Sequence, residues 1–359
     1  MPGTLSPDND RPRILVSGWA GAGNVGDELL TRAVVTRLRG LGADPVVASQ
    51  DPEATAVLHG VEAVAWGPRG RRVLDRLDGV CLGPGGILQD SSSLWSLPAH
   101  LSVVLLAVRR GLPVAAIGIG AEPLRRRSSA WLLRRALGSA EIIARDEASS
   151  AALAMVGLTA RTGADVVFGL DLPTPSPTGE IVVSMGGAVR PGLVKPAARR
   201  IEPPPLTEIA AAIDSLAARL DAPVVLTRFR GGRDADAAAD LRALLRCRAN
   251  LVPPDVDEHV RRVCGARLVV SSRYHPVVLA ARAGVPAVVI STQAKVRSLV
   301  AQIDRSWVHL VDSWAAVGDL EPPSPPDEGV VVAGLHEAHE ALAALVAHAS
   351  AARAERSLG

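Results

Sequence analysis

Cysteine is nearly missing from this chain: Cys81, Cys247 and Cys264 lie far apart and are odd in number. That argues against a disulfide framework or a thiolate zinc site, so no metal is expected, and it fits a reducing cytoplasm. Lysine is scarcer still, with only Lys195 and Lys295, and Tyr274 is the one tyrosine. No apolar run reaches the roughly 18 residues of a membrane helix; "LSVVLLAV" is too short. Net charge is only +2, with arginines scattered among acids. A dedicated nucleic-acid binder, which needs a phosphate-neutralising surface, is therefore not expected. The start, "MPGTLSPDNDRPR", is polar and carries proline, unlike a signal peptide. Neither a Walker phosphate loop nor a G-x-S-x-G elbow occurs.

What the chain does have is apolar material, 48% of its residues, which rules out intrinsic disorder. Its 359 residues exceed one ordinary core and suggest two domains. Short β-rich runs alternate with amphipathic stretches. Strands are expected at 13–19, 45–49, 61–66, 78–83, 113–120 and 141–146, with helices at 27–42, 94–110 and 147–157 between them. Apolar strands separated by helices imply a parallel sheet covered on both faces. "DLPTPSPTGE" (171–180) then interrupts the pattern with proline. The alternation restarts with strands at 181–185, 222–229, 267–273 and 286–291. The expected domains are a flexible terminus at 1–12, a first domain at 13–172, a linker at 173–180 and a second domain at 181–320. A proline-rich segment and final helix fill 321–359. The fold class is α/β, two Rossmann-like domains facing one another across an inter-domain cleft, with ligands beyond the carboxyl ends of the strands.

Two glycine-rich turns follow strands of the first half. In "GWAGAGNVGDELL" (18–30), Gly21, Gly23 and Gly26 spell G-x-G-x-x-G, but Asn24, Asp27 and Glu28 suit a dinucleotide poorly. Carboxylates at a helix start compete with a pyrophosphate there. Asp27 reads equally as a helix cap or as part of a sugar-binding loop. In "GPGGILQDSSS" (83–93), Gly85 and Gly86 allow close backbone approach. Gln89 and Asp90 offer an amide and a carboxylate to a hydroxyl-bearing ligand, although Asp90 also fits a helix cap.

"IIARDEASS" (142–150) puts Arg145 at a strand exit, and "SSRYHPVVLAARAGVPAVVIS" (271–291) puts Arg273 and His275 at another. Ser291 ends the next strand and Lys295 follows it. A composition that replaces nearly every lysine yet keeps one here points to a need for a compact ammonium. Arg145, Arg273, His275 and Lys295 together suit a small, multiply charged anion.

"GNVGDE", "GGILQD", "RDEAS" and "SSRYHPVVLAARAGVPAVVIS…AKV", in this order over residues 13–300, resemble the polysaccharide pyruvyltransferase family. The likeness is to the bacterial type that acts on cell-wall polysaccharide precursors. It departs in two places: Arg273-Tyr274-His275 stands for R-L-H, and Gly83-Pro84-Gly85-Gly86 for a triple glycine. The resemblance implies a GT-B-like arrangement and transfer of the carboxyvinyl unit of phosphoenolpyruvate to two sugar hydroxyls. A cyclic ketal and phosphate result, with no cofactor beyond that donor. By this likeness Arg145, His275 and Lys295 bind phosphoenolpyruvate, with Arg273 supporting, and the Asn24–Asp27 loop lies near the acceptor. His275 is the expected general acid or leaving-group stabiliser, and Asp27 or Asp90 the base. A cytoplasmic protein is expected, and a lipid-linked acceptor would bring it to the inner face of the membrane. Two other classes stay open: a nucleotide-sugar glycosyltransferase, and a non-catalytic sugar-binding protein that keeps the cleft. An NAD-dependent enzyme ranks below both.

Overall fold

A computed structural model describes residues 11–91, 93–174, 176–186, 205–291, 294–303, 307–324 and 334–358. The chain divides into two compact units. One comprises residues 1–22, 27–169 and 333–359; the other comprises 23–26 and 170–332.

The first unit alternates strand and helix from its start: β1 (Arg13–Ala20), α1 (Val25–Gly40), β2 (Asp44–Ser49), α2 (Pro52–His59), β3 (Glu62–Ala65) and β4 (Gly79–Leu82). It continues with β5 (Gly85–Leu88), α3 (Ser96–Arg109), β6 (Val114–Ala121), α4 (Arg127–Leu137), β7 (Glu141–Ala144), α5 (Glu147–Ala154) and β8 (Arg161–Thr162). Among the described residues the sheet order is β3-β2-β1-β4-β6-β7-β8, with β5 alongside β6. Its strand pairs are parallel. Ile14, Leu15, Val16, Val80, Cys81 and Leu82 are all buried, because helices cover both faces. Burying each such aliphatic side chain stabilises by about 1.5–3 kcal/mol relative to exposure. Caps define the helices. The Asp51 carboxylate accepts the Ala54 amide at 3.1 Å, and Gly60 ends α2 in the left-handed region.

The second unit repeats the plan: β9 (Ile181–Ser184), α6 (Leu206–Leu220), β10 (Val224–Thr227), α7 (Arg233–Leu244), β11 (Ala249–Leu251) and α8 (Val256–Cys264) come first. They are followed by β12 (Leu268–Ser271), α9 (Tyr274–Ala283), β13 (Ala287–Ile290), α10 (Ala294–Gln302), β14 (Val308–Val311) and α11 (Ala315–Asp319). The parallel order is β11-β10-β9-β12-β13-β14. Both sheets step outward from their first strand one way and then the other, so each has a topological switch point, where Rossmann-type folds bind ligands.

The last helix, α12 (Leu335–Leu358), belongs to the first unit. Its buried Ala338, Ala341, Leu342, Leu345 and Ala349 recur at helical spacing and meet β4 and β6. Arg353 and Arg356 pair with the buried Asp78 carboxylate, which also accepts the Arg13 amide at 2.8 Å. Among the described residues no helix is long and apolar enough to cross a membrane. His100, fully buried on α3 against Trp19 and Trp66, has its pKa pushed down by burial to about 4 and is neutral at pH 7.

Candidate active site

In the second unit the central strands end level with one another. Thr227 of β10 and Ser271 of β12 both register with Ser184 of β9, and Ser271 registers with Val289 of β13. Their exits carry Gly186, the Arg228–Arg230 loop, Arg273 to His275, and Ser291. Ser271 shapes the β12 exit: its hydroxyl accepts the Arg273 amide at 2.9 Å and donates to the Arg273 carbonyl at 3.0 Å. α9 then starts at Tyr274, with Pro276 in its first turn, where a missing amide costs nothing. The Arg273 guanidinium pairs with Asp234, which is 1% exposed at the start of α7, and lies against Gly186.

The segment Gly23–Gly26 belongs to this unit. The Val25 amide donates to the Phe229 carbonyl at 2.7 Å, the Gly231 amide donates to the Gly23 carbonyl at 2.8 Å, and Asn24 bridges Arg230. The Asn24 side-chain oxygen accepts the Gly26 amide at 3.1 Å, which tightens the turn. A Cβ on Gly26 would sit 1.9 Å from His275 Nδ1, so the imidazole lies directly on the glycine backbone. The ring also meets Tyr274 edge-on, centroids 5.3 Å apart. His275 is half-buried.

His259 is the histidine with a structural job. It is fully buried on α8; its Nδ1–H donates to the Asp255 carbonyl at 2.6 Å and its Nε2 accepts the Arg228 amide at 3.2 Å. Burial first, opposed by these bonds and aided by the nearby Arg228 charge, lowers its pKa. A neutral His259 thus fixes the base of the Arg228–Arg230 loop.

In the first unit, Arg145 leaves β7 buried, its Nε donating to Asp146 at 3.2 Å while Asp146 caps α5 through the Ser149 amide. Its guanidinium covers Gly120, where a Cβ would come within 2.7 Å of Cζ. The same group reaches Gly86, whose Cβ position is 3.8 Å from Nη2. Next door, the Cβ position of Gly85 is 3.9 Å from Asp27 Oδ1. The turn between β4 and β5 is thus flanked by a carboxylate and a guanidinium. Gly85 has φ +122°, a backbone only glycine adopts readily.

A polysaccharide pyruvyl transferase family model matches residues 24–293, most of the chain. The chain belongs to that family. It is therefore a transferase enzyme, and a sugar acceptor follows from the family. A comparison with curated proteins found no match. Solved structures share the fold at low identity. A UDP-N-acetylglucosamine 2-epimerase from Rickettsia bellii is 11% identical with a TM-score of 0.57, over 94% of this chain and 96% of its own. A UDP co-structure of S. aureus MnaA is 12% identical at TM-score 0.56, over 86% of each chain. The glycosyltransferase SnogD from Streptomyces nogalater is 19% identical at TM-score 0.51, over 97% of this chain and 99% of its own. These are GT-B proteins, and the present transferase has that fold, α/β with parallel sheets in two domains.

The transferase gathers its candidate residues in two sets. Asn24, Gly26, Arg273 and His275 meet in the second unit, with Ser291 buried at the end of β13 and Lys295 exposed in the first turn of α10, along the same sheet edge. Asp27, Gly85, Gly86 and Arg145 meet in the first. Asp27 lies in the first turn of α1 rather than capping it. Gln89 turns the next loop, its side-chain oxygen accepting the Ser91 amide and hydroxyl, both at 2.9 Å. Asp90 does not cap α3, which starts at Ser96; its oxygens accept the Arg125 and Arg126 amides at 2.9 and 3.0 Å. Burial works to raise the Asp90 pKa. The bonds from Arg125, Ser129 and Arg126, with the Arg126 charge, outweigh burial and hold it below the usual carboxylate range.

Sequence reasoning missed Asp234, Gly120 and the use of Glu28. Glu28 is buried, accepts the Gly21 amide at 2.8 Å and holds His59 at 2.9 Å. It takes the amide a dinucleotide pyrophosphate would need, so the glycine fingerprint here closes a turn. No local pattern marks Asp234 or Gly120, since their partners are distant in sequence.

Proposed function

We propose that this transferase moves the carboxyvinyl group of phosphoenolpyruvate to two hydroxyls of a saccharide, giving a pyruvate ketal and inorganic phosphate. The observation that carries the reading is His275, seated on Gly26 at the carboxyl edge of the second sheet with Arg273 beside it, in a chain of this family. His275, as imidazolium, gives its proton to carbon 3 of the donor, making carbon 2 electrophilic. One sugar hydroxyl adds to carbon 2; the carbon–oxygen bond to phosphate then breaks, and the second hydroxyl closes the ketal. The protons leave the two hydroxyls, one restoring the charge of His275 and one going to phosphate. Lys295, beyond the end of β13 on the same sheet edge as His275, offsets the donor's phosphate and carboxylate charge as it leaves water. Arg273, already committed to Asp234, positions its neighbour His275. Asp27 relays the proton that ends on phosphate; Asp90, ionised and bonded to two amides, is the weaker base. The acceptor carries a cell-surface polysaccharide unit, and the reaction runs on the cytoplasmic side of the membrane.

A thermal-shift titration tests the donor assignment. Phosphoenolpyruvate at a hundred times its Kd should stabilise by about 2.7 kcal/mol, raising Tm by several degrees. Uridine nucleotide sugars should leave Tm unchanged. The reverse pattern would support a glycosyltransferase instead.

A further inference from the structure

Residues 91–140 hold seven arginines and one carboxylate, Glu122. This stretch is net +6 in a chain of net +2, so the remainder is net −4. The even scatter of charge expected for the whole chain fails here. The centre of the stretch is "RRRSSAWLLRR" (125–135), and no acid lies anywhere in α4. Arg127, Trp131, Arg134 and Arg135 share one exposed helical face, while Leu133, Ala136 and Leu137 turn inward to the core. Trp131 is 60% exposed. Arg125, Arg126 and Arg127 crowd the start of α4, where the helix dipole disfavours cations, and no first-turn acid offsets them.

Two more large apolar side chains stand in solvent nearby in the fold: Leu94 and Trp95, 52% and 79% exposed, lead into α3, which packs on α4. Asp90 ties the segment before them to α4 through the Arg125 and Arg126 amides. The competing charges are few, and one of them is Asp90 itself, whose carboxylate lies 3.8 Å from Arg126. Glu122 accepts the Ser91 hydroxyl at 3.0 Å, and Arg110, at the end of α3, pairs with Asp75. Arg126 and Arg134 each donate to a backbone carbonyl, while Arg125, Arg127 and Arg135 reach into solvent.

We propose that this face of the first unit docks on an anionic membrane surface. Lipid phosphates meet the arginines, and Trp131, Trp95 and Leu94 enter the boundary between headgroups and acyl chains. Charge complementarity selects the partner. Arginines alone would suit a nucleic acid as well, but tryptophan and leucine left in water among them suit the wet-to-apolar boundary of a bilayer. The inference rests on no step of the proposed reaction, although it would bring the enzyme to a lipid-linked acceptor.

Flotation with phosphatidylcholine vesicles, with and without phosphatidylglycerol, tests it on the full chain. Wild type should float only with phosphatidylglycerol, less so as salt rises. The Arg127→Gln/Arg135→Gln pair should lower partitioning on the order of tenfold or more. Trp131→Ser should lower it severalfold at any salt. Each variant should keep the wild-type Tm. Wild type that ignores the anionic vesicles overturns the proposal, as does equal flotation of the folded variants. Salt-sensitive binding to a random RNA without vesicle binding also overturns it, assigning the patch to nucleic acid. No donor or acceptor is present, so failure here leaves the reaction untouched, and a protein inactive on phosphoenolpyruvate could still float.

Discussion

Replacing His275 by Ala should lower phosphoenolpyruvate-dependent phosphate release by 10²–10⁴-fold, the usual contribution of a positioned acid, while the protein stays folded. The expected change is in kcat, because the proton moves only as carbon 2 becomes electrophilic. Stability should change little, because the ring is only half-buried. A near-normal turnover in the folded variant would remove the acid role from His275. A lost activity with a collapsed Tm would be uninformative, so melting accompanies the assay. Arg273→Lys gives the contrast. It keeps a cation but loses the fork that engages Asp234, and should disturb the pH profile of kcat more than the donor affinity.

Gly26→Ala is the second large effect, and it arises from geometry alone. The backbone at Gly26 is not one of the left-handed positions, so alanine is conformationally acceptable. The methyl group, however, would lie 1.9 Å from His275 Nδ1, 2.5 Å from Cγ and 2.6 Å from Cε1. The imidazole must move by about 1 Å or more, and a misplacement of that size costs on the order of 10²-fold in rate. Overpacking should cost only about 1–3 kcal/mol of stability. If Lys295 binds the donor as proposed, KM for phosphoenolpyruvate should change far less than kcat. Wild-type kcat in Gly26→Ala would mean that the imbedded ring position is irrelevant to turnover.

Much of the fold could be read from the chain because its central strands are apolar on both faces. β1, β4, β6, β9, β12 and β13 stand within a residue or two of the expected runs. The short strands did not announce themselves. β8 and β11 have two and three residues at sheet edges, where one side meets water and no apolar run is needed. β5 is a glycine turn that happens to pair with β6. Site residues were legible where chemistry sits at a strand exit, as at Arg145 and His275. The contact of His275 with Gly26 was not, because it joins opposite ends of the sequence through a loop whose neighbours belong to the other unit. His259 and His275 lie near the same sheet edge: His259 is held by the Asp255 carbonyl and the Arg228 amide, and His275 lies against the Gly26 backbone. The proline-rich 320–329 region overlaps residues outside the described set, as does Lys195.

Incubating the purified enzyme with phosphoenolpyruvate and a saccharide acceptor, and following phosphate and acceptor mass together, tests the central claim most directly. The account predicts one phosphate released for each pyruvate ketal formed on the sugar. Release of a nucleoside diphosphate from a nucleotide sugar, with phosphoenolpyruvate left intact, would contradict it.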